Sequence, residues 1–212
     1  MALRLISLVA LCFVTVHGQN KYCCHPVTWE SVNYISEGQV ASGTKKAVYT
    51  EGTEMVSVDG TNHRIASLTT YNSGGFKVNV LILQLFDQGV MYTVQSGECK
   101  NTTLPPWTPR CVPDSATLAK KSYYGIGDNK VDVDIYALQS GPNTVYLTVA
   151  NADCTPVYQA AYGTAEGVSG LAYKAYRNIT LGIKDTSVFD VPSICSNATA
   201  YPQMLVPKHG LY

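Results

Sequence analysis

The sequence predicts a mostly β fold built from antiparallel strands, with few short helices. Apolar and polar residues alternate over many short segments, which is the pattern of half-buried strands. Turn-forming residues separate several of these segments at hairpin spacing. A helical period is nearly absent, and we expect only a turn or two of helix at 115–121.

Two hairpins are the clearest predicted strand pairs. Residues 130–138 alternate, Ser-Gly-Pro-Asn at 140–143 turns the chain, and residues 144–151 alternate again. A second hairpin joins 77–86 to 90–95 through Asp-Gln-Gly. This order is typical of an antiparallel meander. Further strands are expected at 47–49, 55–58, 64–70, 170–176 and 179–183.

The run Val-Leu-Ile-Leu at 80–83 is apolar on both faces of its predicted strand. A strand with one face in water alternates, so both faces of this strand must be covered. Two explanations fit. The strand is either central, between layers of protein, or one of its faces lines a hydrophobic cavity or a dimer interface. The run by itself favours the first explanation.

Residues 1–18 are expected to be a secretory signal peptide. Arg4 supplies a positive charge, residues 5–16 form an apolar run, and small or β-branched residues precede the expected cleavage after Gly18. The run is too short to cross ~30 Å of hydrocarbon, and no later stretch reaches the ~20 apolar residues of a spanning helix. We therefore predict a secreted protein without a membrane span and with one domain, 19–212.

The number of cysteines is consistent with secretion into an oxidising compartment. Cleavage would remove Cys12 and leave six cysteines, which predicts three disulfides with the connectivity left open. A zinc site is the alternative, but there is no Cys-x-x-Cys pair and the histidines lack ligand spacing. A bond between the adjacent Cys23 and Cys24 would be strained, so we expect each to have a distant partner.

Three sequons predict N-glycosylation, because none has proline at its middle position. The acceptors are Asn101, Asn178 and Asn197. Charged residues make up 14% of the chain, and 15 basic residues balance 15 acidic ones. This composition excludes an extended nucleic-acid surface and a polybasic membrane patch, so nucleic acid is not an expected partner.

No catalytic motif is present in the sequence. Gly-Val-Ser-Gly-Leu around Ser169 misses the nucleophile-elbow pattern by one position, and the zincin, phosphate-loop and Rossmann motifs are missing. The densest group of oxygen ligands is Asp128, Asn129, Asp132 and Asp134, which does not match an EF-hand loop. Asp132 and Asp134 share a strand face and are expected to be solvated. We predict a non-enzymatic protein with no certain cofactor.

Several motifs, in order along the chain, resemble those of the ependymin family. They start with the Cys-Cys-His-Pro segment at 23–29 and include the Cys-x-Pro-Val segment at 154–157. The most specific match is the carboxyl-terminal stretch 178–195. Other matching segments lie at 48–49, 63–65, 86–92 and 96–99. The resemblance covers 23–195 as a core and leaves 196–212 as a tail, and the double cysteine is more like invertebrate ependymin-related proteins.

The resemblance implies two stacked, curved antiparallel sheets that form a half-barrel around a deep hydrophobic pocket, similar to LolA-like lipoprotein carriers. It also implies a glycosylated homodimer that binds lipid-like molecules, and it adds calcium as a candidate cofactor without assigned ligands. The family pairing implies the disulfides Cys23–Cys154 and Cys99–Cys195, which leaves Cys24–Cys111 as the third.

Two functions follow as hypotheses. The first is a secreted carrier or sink for a lipid or another hydrophobic small molecule, driven by apolar burial. Its candidate pocket residues are Val80, Ile82, Leu85, Tyr92, Ile135 and Leu147. The alternative is a structural component of an extracellular, shell-type calcified matrix that takes part in cell–matrix contact, with matrix components as partners, which rests on analogy.

Overall fold

The computed structural model describes residues 23–43, 46–73, 75–165 and 167–200. The predicted signal peptide and residues 201–212 of the predicted tail lie outside this part of the chain. The described residues form strands joined by turns and three short 3₁₀ helices, and they contain no helix able to span a membrane. The prediction of a mostly β, antiparallel fold with few short helices is confirmed.

Thirteen strands are present in the described residues. In chain order they are β1 (Thr28–Ala41), β2 (Ala47–Asp59), β3 (Arg64–Ser73), β4 (Phe76–Leu85), β5 (Val90–Gln95), β6 (Glu98–Thr103), β7 (Thr117–Ile126), β8 (Asn129–Ser140), β9 (Asn143–Ala150), β10 (Pro156–Ala165), β11 (Val168–Ala175), β12 (Thr180–Leu181) and β13 (Thr199–Ala200). The 3₁₀ helices are Phe86–Gln88, Thr186–Phe189 and Ser193–Asn197.

All the strands belong to one open sheet, in the order β13-β6-β5-β4-β3-β2-β1-β11-β10-β9-β8-β7, with β12 also paired to β1. Neighbours are antiparallel except β13 and β6, which are parallel. The two sheets expected from the resemblance are therefore two arms of a single sheet. They are continuous because β1, 14 residues long, pairs with β2 on one side and with β11 and β12 on the other.

Two local predictions need correction, and one strand was missed. The expected helix at 115–121 is wrong, because most of this segment belongs to β7, which pairs with β8; sheet pairing overrides a weak local helix preference. The strand expected at 179–183 shortens to Thr180–Leu181. Strand β1 was not expected, although it is the longest strand described.

The two faces of β4 have different environments. Leu83 and Leu85 are buried with Ala66 and Phe189 in a small apolar core. Successive side chains of a strand point to opposite faces, so Ile82 lies on the other face, where it is partly exposed. The carboxyl-terminal segment that carries Phe189 covers the first face, and the Cys99–Cys195 disulfide fastens this segment to β6.

Two further disulfides start at neighbouring residues. Cys23 is bonded to Cys154, in the turn between β9 and β10, and Cys24 is bonded to Cys111, in the connection between β6 and β7. The structure thus contains the same three pairs that the family resemblance implies. These two disulfides fasten the start of the described chain to the β9–β10 turn and to the β6–β7 connection.

Candidate binding cavity

The connection between β6 and β7 covers part of the sheet. We call residues Thr108–Pro113 the covering segment. Besides the Cys24–Cys111 bond, the backbone N–H of His25 donates to the carbonyl of Arg110 at 2.8 Å, and that of Val112 donates to the carbonyl of Cys23 at 2.7 Å. Since these bonds form a short two-stranded clamp, the backbone of Arg110 is held in place.

Trp107 anchors the beginning of the covering segment. Its ring stacks on His63 at 5.4 Å between ring centroids, and the ring of Phe86 meets it edge-on at 5.0 Å. His63 is in turn hydrogen-bonded to Asp87, with 2.8 Å between Nδ1 of His63 and Oδ1 of Asp87. The covering segment is therefore held by aromatic contacts just before Thr108 and by a disulfide at Cys111.

A cavity of about 180 Å³ lies between the covering segment and the strands β9 and β10. A dry cavity of about 150 Å³ holds a benzene molecule, whereas pockets for whole drug-sized ligands measure about 300–1,000 Å³. The cavity therefore has room for one end of an elongated molecule. Its walls are formed by His25, the covering segment, Leu147, Thr148, Val149, Pro156, Tyr158, Gln159 and Tyr176.

Three side chains that line the cavity have pKa values shifted from their usual range. Burial lowers the pKa of His25 to about 4, with a smaller contribution from the charge of Arg110, so the ring is neutral at pH 7. Burial also raises the pKa of Tyr176 above its usual range and lowers that of Arg110. The ring of Trp29 contacts two of these side chains edge-on. Its centroid lies 6.2 Å from that of His25 and 6.1 Å from that of Tyr176.

Hydrogen-bond donors outnumber acceptors among the side chains of the cavity. None of the lining residues is acidic. Within the described ranges, no carboxylate forms an ion pair with Arg110. The hydroxyl of Tyr176 donates to Oε1 of Gln159 at 3.4 Å, and the buried Nε2 of Gln159 has no acceptor among the described residues.

A buried ion pair lies beside the cavity on the sheet. Nζ of Lys174 is 2.8 Å from Oε2 of Glu54, and Nδ2 of Asn33 donates to the same oxygen at 2.9 Å. Lys174 is the direct cross-strand neighbour of Gln159. The charge of Glu54 contributes to the raised pKa of Tyr176, but Lys174 neutralises this carboxylate at short range.

The predicted pocket residues are distributed over several places. Leu147 lines the cavity. Leu85 is part of the small core around Phe189, and Tyr92 packs against that core. The remaining three residues are partly buried and do not line the cavity; they are Val80, Ile82 and Ile135.

Sequence reasoning missed His25, Arg110, Gln159 and Tyr176 as lining residues. The available signal was the expected disulfide at Cys111, in a proline-rich stretch, because a disulfide there brings its neighbours next to the amino-terminal segment. Of these four residues only His25 lies in a motif noted in the sequence, the Cys-Cys-His-Pro segment, and that motif does not indicate a cavity.

The predicted sequons differ in accessibility. The side chains of Asn178 and Asn197 are exposed. That of Asn101 is partly buried, and its Nδ2 donates to the carbonyl of Ala198 at 3.4 Å. An oligosaccharide on Asn101 would have to replace this contact.

The acidic side chains considered for calcium lie in different environments. Among the residues that the structure describes, no group of three or more His, Cys, Asp or Glu side chains could hold a metal ion. Asp132 is exposed, but the expectation that Asp134 is solvated is wrong, since it is only 9% exposed. Asp134 lies beside the turn after β9, where Asn151 donates to its Oδ2 at 2.9 Å, and Lys121 is 3.9 Å from its Oδ1.

Comparison with known proteins identifies the family. The sequence model of the family described as Ependymin matches residues 72–195, more than half of the chain. The chain belongs to the ependymin family. It is similar to ependymin-related protein 1 of Haliotis asinina, with 23% identity over 186 residues that cover 82% of this chain and 90% of that protein. Ependymin-related protein 2 of the same organism is 23% identical over 207 residues, which cover 92% and 99% of the two chains.

Likeness to solved structures is distant. A DUF1329 family protein from Desulfovibrio piger ATCC 29098 is 10% identical, with a TM-score of 0.34 over 76% of this chain and 89% of that one. The structure of PNGF-II is 9% identical, with a TM-score of 0.27 over 82% of this chain and 31% of that one. Neither likeness bears on function.

Proposed function

We propose that this member of the ependymin family is a secreted, glycosylated, non-enzymatic protein that binds one end of a lipid or another apolar molecule. The observation that carries this proposal is the cavity beneath the covering segment. Disulfides on both sides stabilise its walls, which suits a protein that works in an oxidising, extracellular environment.

The apolar lining supplies the driving force for binding. Val112, Leu147 and Val149 contribute side chains to the cavity, together with Pro109 and Pro156. Each methylene removed from water contributes about 0.8 kcal/mol. Because the cavity holds only part of a long chain, affinity should increase with chain length over the first carbons and then level off.

Ligand capture tests this proposal directly. The chain would be expressed as residues 19–212 in a secreting eukaryotic cell, analysed by native mass spectrometry, and then offered single-chain lipids of increasing length. Lipid retained at one molecule per chain and released on denaturation supports the proposal. Protein that stays empty with every lipid contradicts it.

Cavity-blocking variants locate the site of binding. Thr108 is exposed and lines the cavity, so Thr108→Trp is expected to block the entrance without disturbing the core. Leu147→Trp would fill the interior. Leu118→Trp is the matched control, because Leu118 is 48% exposed on β7 and does not line the cavity. Lipid retention that survives both cavity substitutions would place the ligand elsewhere.

A further inference from the structure

We propose that the cavity selects an anionic head group, a carboxylate or a phosphate monoester on a single alkyl chain, with Arg110 as the anchoring cation. This inference rests on the function proposed above and names the class of ligand. The geometry that supports it is a fixed guanidinium-bearing residue in the wall of a small cavity whose lining has no acidic side chain.

The position of Arg110 is set by the clamp described above. Its carbonyl accepts the hydrogen bond from His25, and the next residue is held by the Cys24–Cys111 bond. The side chain is partly buried, and it lines the cavity together with His25 and Tyr176. A guanidinium stays protonated in proteins, so this charge persists across the physiological pH range.

Among the residues that the structure describes, no carboxylate is paired with Arg110. Glu54 is engaged by Lys174 at 2.8 Å, and His25 is neutral at pH 7 because burial lowers its pKa to about 4. Burying a cation without a partner is costly, and a bound anion would remove that cost. The cavity thus has an electrostatic reason to prefer an anion over a neutral group of the same size.

The guanidinium of Arg110 matches the oxygens of such a head group. Guanidinium groups bind carboxylates and phosphates through two parallel hydrogen bonds. The alkyl chain would then contact the apolar side chains of Leu147 and Val149.

The test compares head groups on one chain length. Isothermal titration calorimetry with disulfide-intact protein would measure binding of decanoate, decyl phosphate, decanol and methyl decanoate. Charged hydrogen bonds predict a preference of about 10- to 100-fold for an anion over decanol. Preference for decanoate, for decyl phosphate or for both supports the inference and identifies which head group is bound. Equal affinity for decanol and both anions overturns it, while the binding function stands. No binding of any of the four contradicts the proposed function itself.

Variants assign the preference to one residue. Arg110→Gln should abolish the preference for anions and leave decanol binding within about twofold, and Arg110→Lys should keep part of it, since a lysine supplies charge without the paired geometry. The matched control is Arg177→Gln, because Arg177 is exposed over the ring of Tyr34 and does not line the cavity. Near-ultraviolet circular dichroism verifies folding. An undiminished anion preference in folded Arg110→Gln would overturn the assignment.

Discussion

Replacing Lys174 by methionine should be among the most destabilising single changes in the sheet. The ammonium and the Glu54 carboxylate lie 2.8 Å apart, and each side chain is only 11% exposed. Lys174→Met leaves Glu54 buried, with the hydrogen bond from Asn33 as its main compensation. Removing one partner of a buried pair costs about 3–5 kcal/mol. At about 2–4 °C per kcal/mol for a chain of this length, the melting temperature should fall by roughly 6–20 °C.

A double-mutant cycle tests the reasoning. Glu54→Gln should also destabilise the protein, while Glu54→Gln/Lys174→Met should recover to within about 2 kcal/mol of the original, because no buried charge is left unpaired. Urea unfolding followed by tryptophan fluorescence gives the free energies of unfolding. The exposed pair Lys100–Glu98, at 3.9 Å, is the comparison, and Glu98→Gln should change stability by less than about 1 kcal/mol. Additive costs at Glu54 and Lys174 would refute this account.

Three further predictions concern pH, glycosylation and covalent stability. His25 has a pKa of about 4 in the folded state and 6.5 in the unfolded state, so the unfolded state binds the proton first as pH falls. The free energy of unfolding should therefore decrease by up to about 3 kcal/mol between pH 6.5 and 4. Urea titrations of His25→Gln should lack this decrease. Glycopeptide mass mapping should find Asn178 occupied and Asn101 mainly free, and full occupancy at Asn101 would contradict the accessibility argument. Replacing Cys24 and Cys111 together by serine removes a bond between residues 87 positions apart, and calorimetry should show a loss of about 4 kcal/mol, with unchanged stability as the contrary result.

Local sequence patterns predicted the parts of the fold that neighbouring residues determine. The expected hairpin at 130–151 corresponds to β8 and β9, and the one at 77–95 corresponds to β4 and β5. Gly89 ends the second turn with φ of +63°, a conformation that glycine adopts without strain. Period and turn chemistry suffice for such hairpins because both strands and their connection lie within about 20 residues.

Strand β1 escaped prediction because its buried face is not apolar. Trp29 and Ile35 are buried on this face, but so are Ser31 and Asn33 between them. Asn33 is compensated by Glu54, which is 21 positions away along the chain. A pattern of alternating polarity cannot indicate burial that depends on a partner in another strand.

The candidate cavity was even less accessible to sequence reasoning. It brings Arg110, from a connection without regular structure, next to Tyr176 and Gln159 in the other arm of the sheet. This juxtaposition depends on the order of strands in the sheet and on the path of the covering segment. The cysteine pairs were the only sequence feature that related these distant parts of the chain.

The adjacent cysteines at 23 and 24 impose an order on biosynthesis. Both are synthesised before their partners, which follow 131 residues after Cys23 and 87 residues after Cys24. Until then both thiols are unpaired, and each can bond to either distant partner. The isomer with Cys23 joined to Cys111 and Cys24 to Cys154 would close loops of nearly the same length, so loop entropy does not discriminate against it. The backbone bonds of the clamp, from His25 to Arg110 and from Val112 to Cys23, favour the observed pairing, so we expect mispaired chains to reach it through thiol exchange.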